Sequence, residues 1–159
     1  MAAMTNLLVK DDANPLVEQT LVPITDTPEP LWRSQMAGVP FEGQIRLTQS
    51  IVKQKNGGYK ITAKLEVPTM ETLGASGTSF GYVAPAKVAY VTPLILTMFA
   101  DKRSTIADRA NTLKLMVGLL AGASSVTATG TINGASAADT VKNSTAAFPQ
   151  LFTSLILAS

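Results

Sequence analysis

The 159-residue chain contains no cysteine and no histidine. Without cysteine it can form neither disulfides nor thiolate metal sites. Without histidine it lacks the commonest general base, the commonest metal ligand and the side chain that titrates near neutral pH. Its acids are scattered, so no metal site, no other cofactor and no catalytic residue is assigned. Charge is scarce as well: Asp, Glu, Lys and Arg make up 15% of the chain, against about 25% in an ordinary soluble domain. Apolar residues make up 46%, and much of the surface is therefore expected to lie in subunit interfaces. Long apolar runs are missing. Phe148–Ala158 is about half of what a membrane helix needs, and Leu7-Leu8-Val9 is too short for a secretory core. No membrane contact is expected, and the chain reads as a soluble product of a cytoplasm.

What charge there is clusters. The net charge is +2, but residues 1–40 hold two cations against five acids, whereas residues 41–103 hold eight cations against four acids, a local +4. Such clustering favours a polyanionic partner. The plainer reading is that the lysines keep a sheet face in water.

The positive segment contains two alternating stretches, Phe41–Gln54 and Tyr59–Val67. Ile45, Leu47 and Ile51 take odd positions in the first, with Arg46, Thr48 and Ser50 between them. Tyr59, Ile61, Ala63, Leu65 and Val67 take odd positions in the second, separated by Lys60, Thr62, Lys64 and Glu66. A period of two gives each strand one buried and one presented face. Here the presented face carries hydroxyls and cations, which suits binding. Lys55-Asn56-Gly57-Gly58 between them has the sequence of a two-residue Asn-Gly hairpin. That turn would set Ile51 across Thr62, placing apolar and polar residues on one face, an expensive register error. An odd-length loop or a bulge is therefore required, and the alternation breaks at Val52-Lys53. Shifting by one sets Ser50 across Thr62, Thr48 across Lys64 and Arg46 across Glu66.

Around this pair, Asn6–Val9, Leu16–Val22 and Leu31–Met36 read as short strands among the prolines of the first forty residues. Pro68 is expected to close the strand that starts at Tyr59. Gly74–Pro85 reads as a long small-residue loop, and Lys87–Phe99 as a strand that Pro93 places at a bulge or an edge. The period then changes: Ile106, Ala107, Ala110, Leu113, Met116, Val117 and Leu120 follow helical spacing, opened by a Thr105-x-x-Asp108 capping box, with Gly122 as its stop. Ser124–Ala147 has no determined conformation, and Phe148–Leu157 suits a helix opened by Pro149 or a strand. Strands followed by helices make an α+β fold, with helices on one face of an antiparallel sheet. The chain reads as one domain: N-terminal strands over 1–40, the main sheet over 41–100 and a helical part over 101–159. One helix cannot cover a sheet roughly 25 Å wide, so a second copy's helix is expected to complete the cover.

The run Tyr59–Pro68 (YKITAKLEVP), the Gly-rich loop ending at Pro85, the strand ending Met98-Phe99-Ala100 and the helix ending Gly118-Leu119-Leu120 resemble the coat proteins of single-stranded RNA bacteriophages, the leviviruses. The resemblance spans roughly residues 41–122. It implies an N-terminal hairpin, a five-stranded sheet continuous with that of a twofold mate, and C-terminal helices that interlock in the dimer. It further implies assembly into an icosahedral virion in the host bacterial cytoplasm. The inner sheet face would bind genomic RNA, including a hairpin whose binding represses replicase translation. Family adenine pockets match Thr48, Ser50, Thr62 and Lys64, the same residues that alternation and register bring together. Arg46 and Lys60 would add phosphate contacts, Glu66 would orient Arg46, and a stacking tyrosine matches Tyr90 with Thr92 beside it. The segment Ser124–Ser159 and the Gly74–Pro85 loop are both longer than the family pattern.

Gly77-Thr78-Ser79-Phe80-Gly81 fits the G-x-S-x-G nucleophile pattern, but that chemistry needs a histidine and a strand–turn–helix setting. Asn143-Ser144-Thr145 is a formal glycosylation sequon without a secretory signal. Two alternatives to an RNA-packaging coat protein stand beside it: a dimeric RNA-binding regulator that builds no shell, and a phage structural protein that assembles without RNA. The long Gly-rich loop favours assembly, and salt sensitivity separates the last reading.

Overall fold

The computed structural model describes residues 3–11, 17–71, 86–120, 150–151 and 154–158. Six strands, β1 (Leu7–Lys10), β2 (Glu18–Thr25), β3 (Leu31–Ser34), β4 (Arg46–Lys53), β5 (Tyr59–Met70) and β6 (Val88–Ala100), precede the helix α1 (Ile106–Leu120). They form one antiparallel sheet whose spatial order is the sequence order. The N-terminal hairpin is β1–β2, and Val22–Arg33 and Leu21–Ser34 pairs join it to β3. Hairpin and sheet are thus continuous. Pro23 sits where the β2–β3 register shifts, a position at which a missing N–H costs no regular rung.

The chain packs as two compact units. One comprises Thr5–Thr48 and Ala63–Leu96. Its core is built on Leu21, Trp32, Leu47 and Ala63. Trp32 is wholly buried, and its indole N–H donates to the Thr5 carbonyl at 3.0 Å. The chain between β3 and β4 is held by a buried polar network. The Ser34 hydroxyl donates to Gln44 Oε1 at 2.9 Å and accepts the Ile45 N–H at 2.9 Å. Gln44 Nε2 donates to the Met36 and Val39 carbonyls, at 3.1 and 2.8 Å, while the Met36 N–H donates to Gln44 Oε1. Both halves of the buried amide are therefore satisfied, which removes the penalty of hiding it.

The other unit comprises Met1–Met4, Gln49–Thr62 and Thr97–Ser159. Ile61, Ala100, Ala110, Leu113, Leu151 and Ala158 are buried in it. The capping box forms as its residues require: the Thr105 N–H and hydroxyl donate to Asp108 Oδ2, each at 2.9 Å, and the Asp108 N–H returns a bond to the Thr105 hydroxyl. The helical stripe is narrower than its spacing suggests. Ala110 and Leu113 are buried, whereas Ile106 and Met116 are exposed. Arg109 joins the buried side instead. Its Nη1 donates to the Ser104 carbonyl at 2.7 Å and to the Ser104 hydroxyl at 3.1 Å, so its charged head is held at the helix start.

Two expectations about boundaries change, and one left open is narrowed. Phe41–Gly43 forms a single 3-10 turn, and β4 starts only at Arg46. Pro68 does not end its strand, since β5 continues to Met70. Near the C-terminus Gln150 and Leu151 are helical, but Ser154 and Ile156 N–H groups both donate to the Gln150 carbonyl and Leu155 has φ +60°, a closed helical turn. The Gly74–Pro85 loop, Gly122, the Ser124–Ala147 segment and Pro149 lie outside the described residues.

Candidate nucleic-acid interface

The turn between β4 and β5 sets the register of the site. The Gln54 N–H donates to the Gly58 carbonyl at 2.8 Å, and the Gly57 N–H donates to the Gln54 carbonyl at 3.0 Å. Lys55-Asn56-Gly57 is therefore a three-residue loop, with Gly57 at φ +82°, the left-handed position of such loops. Asn56 Oδ1 accepts the Gly58 N–H at 3.0 Å. At Gly58 itself a Cβ would lie 2.8 Å from the Ala100 carbonyl oxygen, so the strands close only around glycine. The required odd residue thus sits in the turn, and Val52-Lys53 remain regular members of β4. Counting outward from the Gln54–Gly58 pair sets Ser50 across Thr62, Thr48 across Lys64 and Arg46 across Glu66.

In the unit containing Thr5–Thr48 and Ala63–Leu96, the geometry brings four predicted residues together. Glu66 stands between two cations: Arg46 Nε lies 3.8 Å from its Oε2, and Lys64 Nζ lies 2.8 Å from its Oε1. All three side chains are partly exposed, so these pairs contribute little stability. Their effect is to fix where the charges stand. Leu31 lies across Thr48 and Arg33 across Arg46, which adds Arg33 to this face. The Arg33 guanidinium carbon sits 4.4 Å from the Phe41 ring centroid. A hollow of about 310 Å³ opens beside it, with Arg33, Met36, Val39, Phe41 and Gln44 among its walls. Counting from the Glu71 N–H bond to the Lys87 carbonyl, 2.8 Å long, Thr92 falls across Glu66 and Tyr90 across Pro68. Both are exposed on β6. Arg33 is the functional candidate that sequence reasoning missed. Its signal was present in the alternation of Leu31-Trp32-Arg33-Ser34, in which the buried Trp32 and Ser34 force Arg33 to the other face.

In the other unit, Ser50 and Thr62 are half-buried neighbours on β4 and β5, and Lys60 is exposed. The hydroxyls of Thr48, Ser50 and Thr62 make no hydrogen bond among the described residues. They are available to a ligand that offers donors and acceptors. Among the described residues no group of three or more acids could hold a metal ion, and no helix is long and apolar enough to cross a membrane. The Gly77–Gly81 pattern lies outside the described residues.

Comparison with known proteins places this chain in a family. The family model for levivirus coat protein matches residues 2–148. The chain is 37% identical over 126 residues to the capsid protein of Pseudomonas phage PRR1, covering 77% of this chain and 86% of that one. Its fold matches the virus-like particle of bacteriophage EMS014 at 40% identity and a TM-score of 0.69, over 99% of each chain. The capsid protein of bacteriophage GA shares the fold alone, at 18% identity and a TM-score of 0.55 over 74% of this chain and 84% of that one. A capsid protein family is not an enzyme class, and this chain belongs to the levivirus coat protein family.

Proposed function

We propose that this protein dimerises, assembles into the icosahedral shell of an RNA phage virion, and binds single-stranded genomic RNA through the presented face of β4, β5 and β6. The observation that carries the RNA reading is the juxtaposition of unengaged hydroxyls with a cation-rich row: Thr48 and Lys64 across one rung, Arg46 and Glu66 across the next. Hydroxyls and an ammonium group donate to base edges and phosphates, and RNA specificity rests mainly on unpaired, extruded bases. Thr48, Ser50, Thr62 and Lys64 form the base-reading set, Arg46 and Lys60 contact phosphates, and Tyr90 with Thr92 offers a stacking platform. Repression of replicase translation would follow from binding an RNA hairpin. Assembly in the host cytoplasm follows from the same scheme.

The dimer reading rests on β6. It is the last strand of the sheet, thirteen residues long, with one edge unpaired among the described residues. Leu94 is 65% and Phe99 66% exposed. A long, apolar, open edge is a template for another strand, and a second copy of β6 fits it. Thr62→Ala or Lys64→Ala is expected to weaken RNA binding roughly tenfold, as loss of one good polar contact does, while the dimer persists. Filter binding alongside size-exclusion chromatography reads both. Dimer loss with either substitution would contradict the face assignment.

A further inference from the structure

Arg33 and Arg46 face each other across neighbouring antiparallel strands. Like charges directly opposite in a ladder repel, and a sheet seldom keeps them without a counter-charge. Among the described residues Glu66 is the acid on this row, and it is already divided between Arg46 and Lys64. Two cations thus share one carboxylate and Arg33 stands beside them, three positive charges against one negative, a local +2. Neither arginine satisfies the other. The Nε atoms of both are buried and without a hydrogen-bond partner among the described residues. Arg33 is also held in place, because its guanidinium lies over the Phe41 ring at 4.4 Å. Phe41 in turn sits on the 3-10 turn that the Ser34–Gln44 network closes.

We infer that Arg33 on β3 and Arg46 on β4 form a clamp for one phosphodiester of the bound RNA, one rung from Thr48 and Lys64. This inference rests on the RNA-binding reading of the sheet face. A phosphodiester supplies the missing charge, and two guanidinium forks match its oxygens. Stacking on Phe41 orders one fork before binding, which lowers the entropy lost on association. A phosphate contact positions the strand and carries no sequence information.

The test is fluorescence anisotropy of RNA-free protein with labelled oligoadenylate and oligouridylate, over about 50–200 mM salt. Arg33→Gln is expected to weaken both RNAs by the same factor, roughly tenfold. It should also flatten the logarithmic salt dependence by about 0.7–0.9, the signature of one lost phosphate contact. Arg33→Lys keeps the charge and loses the fork; it should retain the salt slope and still lose several-fold in affinity. Unchanged affinity in Arg33→Lys overturns the clamp, even if Arg33→Gln fails to fold. So does an Arg33→Gln effect on one RNA alone, which would make Arg33 a base reader. Lys64→Ala separates the two levels of the argument. If it weakens binding while Arg33→Gln does not, only the clamp falls; if neither weakens binding, the RNA reading of the face falls too.

Discussion

The chemistry proposed for this coat protein depends on single side chains whose surroundings are unusual for their type. Glu66 is the acid among cations on a face proposed to meet RNA. Lying 2.8 Å from Lys64 and 3.8 Å from Arg46, it places both charges but also repels phosphate. Glu66→Gln should therefore raise RNA affinity several-fold and steepen its salt dependence, because two cations become free to neutralise phosphates. Parallel salt titrations of wild type and variant read this, and weaker binding by the variant would show that positioning outweighs repulsion. Most of the proposed site residues follow from alternation, since parity alone puts Arg46, Thr48, Ser50, Thr62, Lys64 and Glu66 on one side of their strands. Arg33 does not, because β3 is only four residues long. Parity over four residues is a weak signal until a partner strand fixes it.

At the scale of elements, local chemistry decided more than pattern. Helix α1 begins where Thr105 and Asp108 put it. The Thr105 N–H and hydroxyl, donating to the Asp108 carboxylate, hold its pKa below the ordinary value of 3.8. A depressed carboxyl favours the folded state above that value and loses its contribution as pH falls through the lower, folded-state pKa. Asp108→Asn should accordingly lower the melting temperature at neutral pH, and the gap from wild type should close below about pH 3.8. A gap independent of pH would mean that the cap does not act through the charge. Strand ends were harder to read. Pro68 looked like a stop, but β4 begins at Arg46, opposite Glu66, so Pro68 lies past the last β4 rung and its missing N–H breaks nothing there. Phe41 looked like strand, but Gly43 and the fully bonded Gln44 turn the backbone just before β4. The burial of Arg109 was invisible to hydropathy, because the Ser104 carbonyl that accommodates it lies outside the helix.

For the whole molecule, the low charge content and the exposed apolar side chains tell the same story. Leu115 on α1 is 61% exposed and Ile95 on β6 is 57% exposed, large apolar side chains left in water in each unit. A second copy is expected to cover them. Ile95→Asp should abolish the dimer at micromolar concentration, since a charge in a buried interface costs several kcal/mol; sedimentation equilibrium reads the outcome, and an intact dimer would move the interface elsewhere. The proposed dimer rests on composition and helix count, and the proposed shell on family membership. One measurement tests the joint claim of assembly and RNA binding most directly. The protein is expressed alone in bacteria, fractionated by size-exclusion chromatography, imaged by negative stain and read at two ultraviolet wavelengths, one for nucleic acid and one for protein. Closed particles carrying nuclease-protected host RNA are the predicted result; a dimer free of RNA would contradict it.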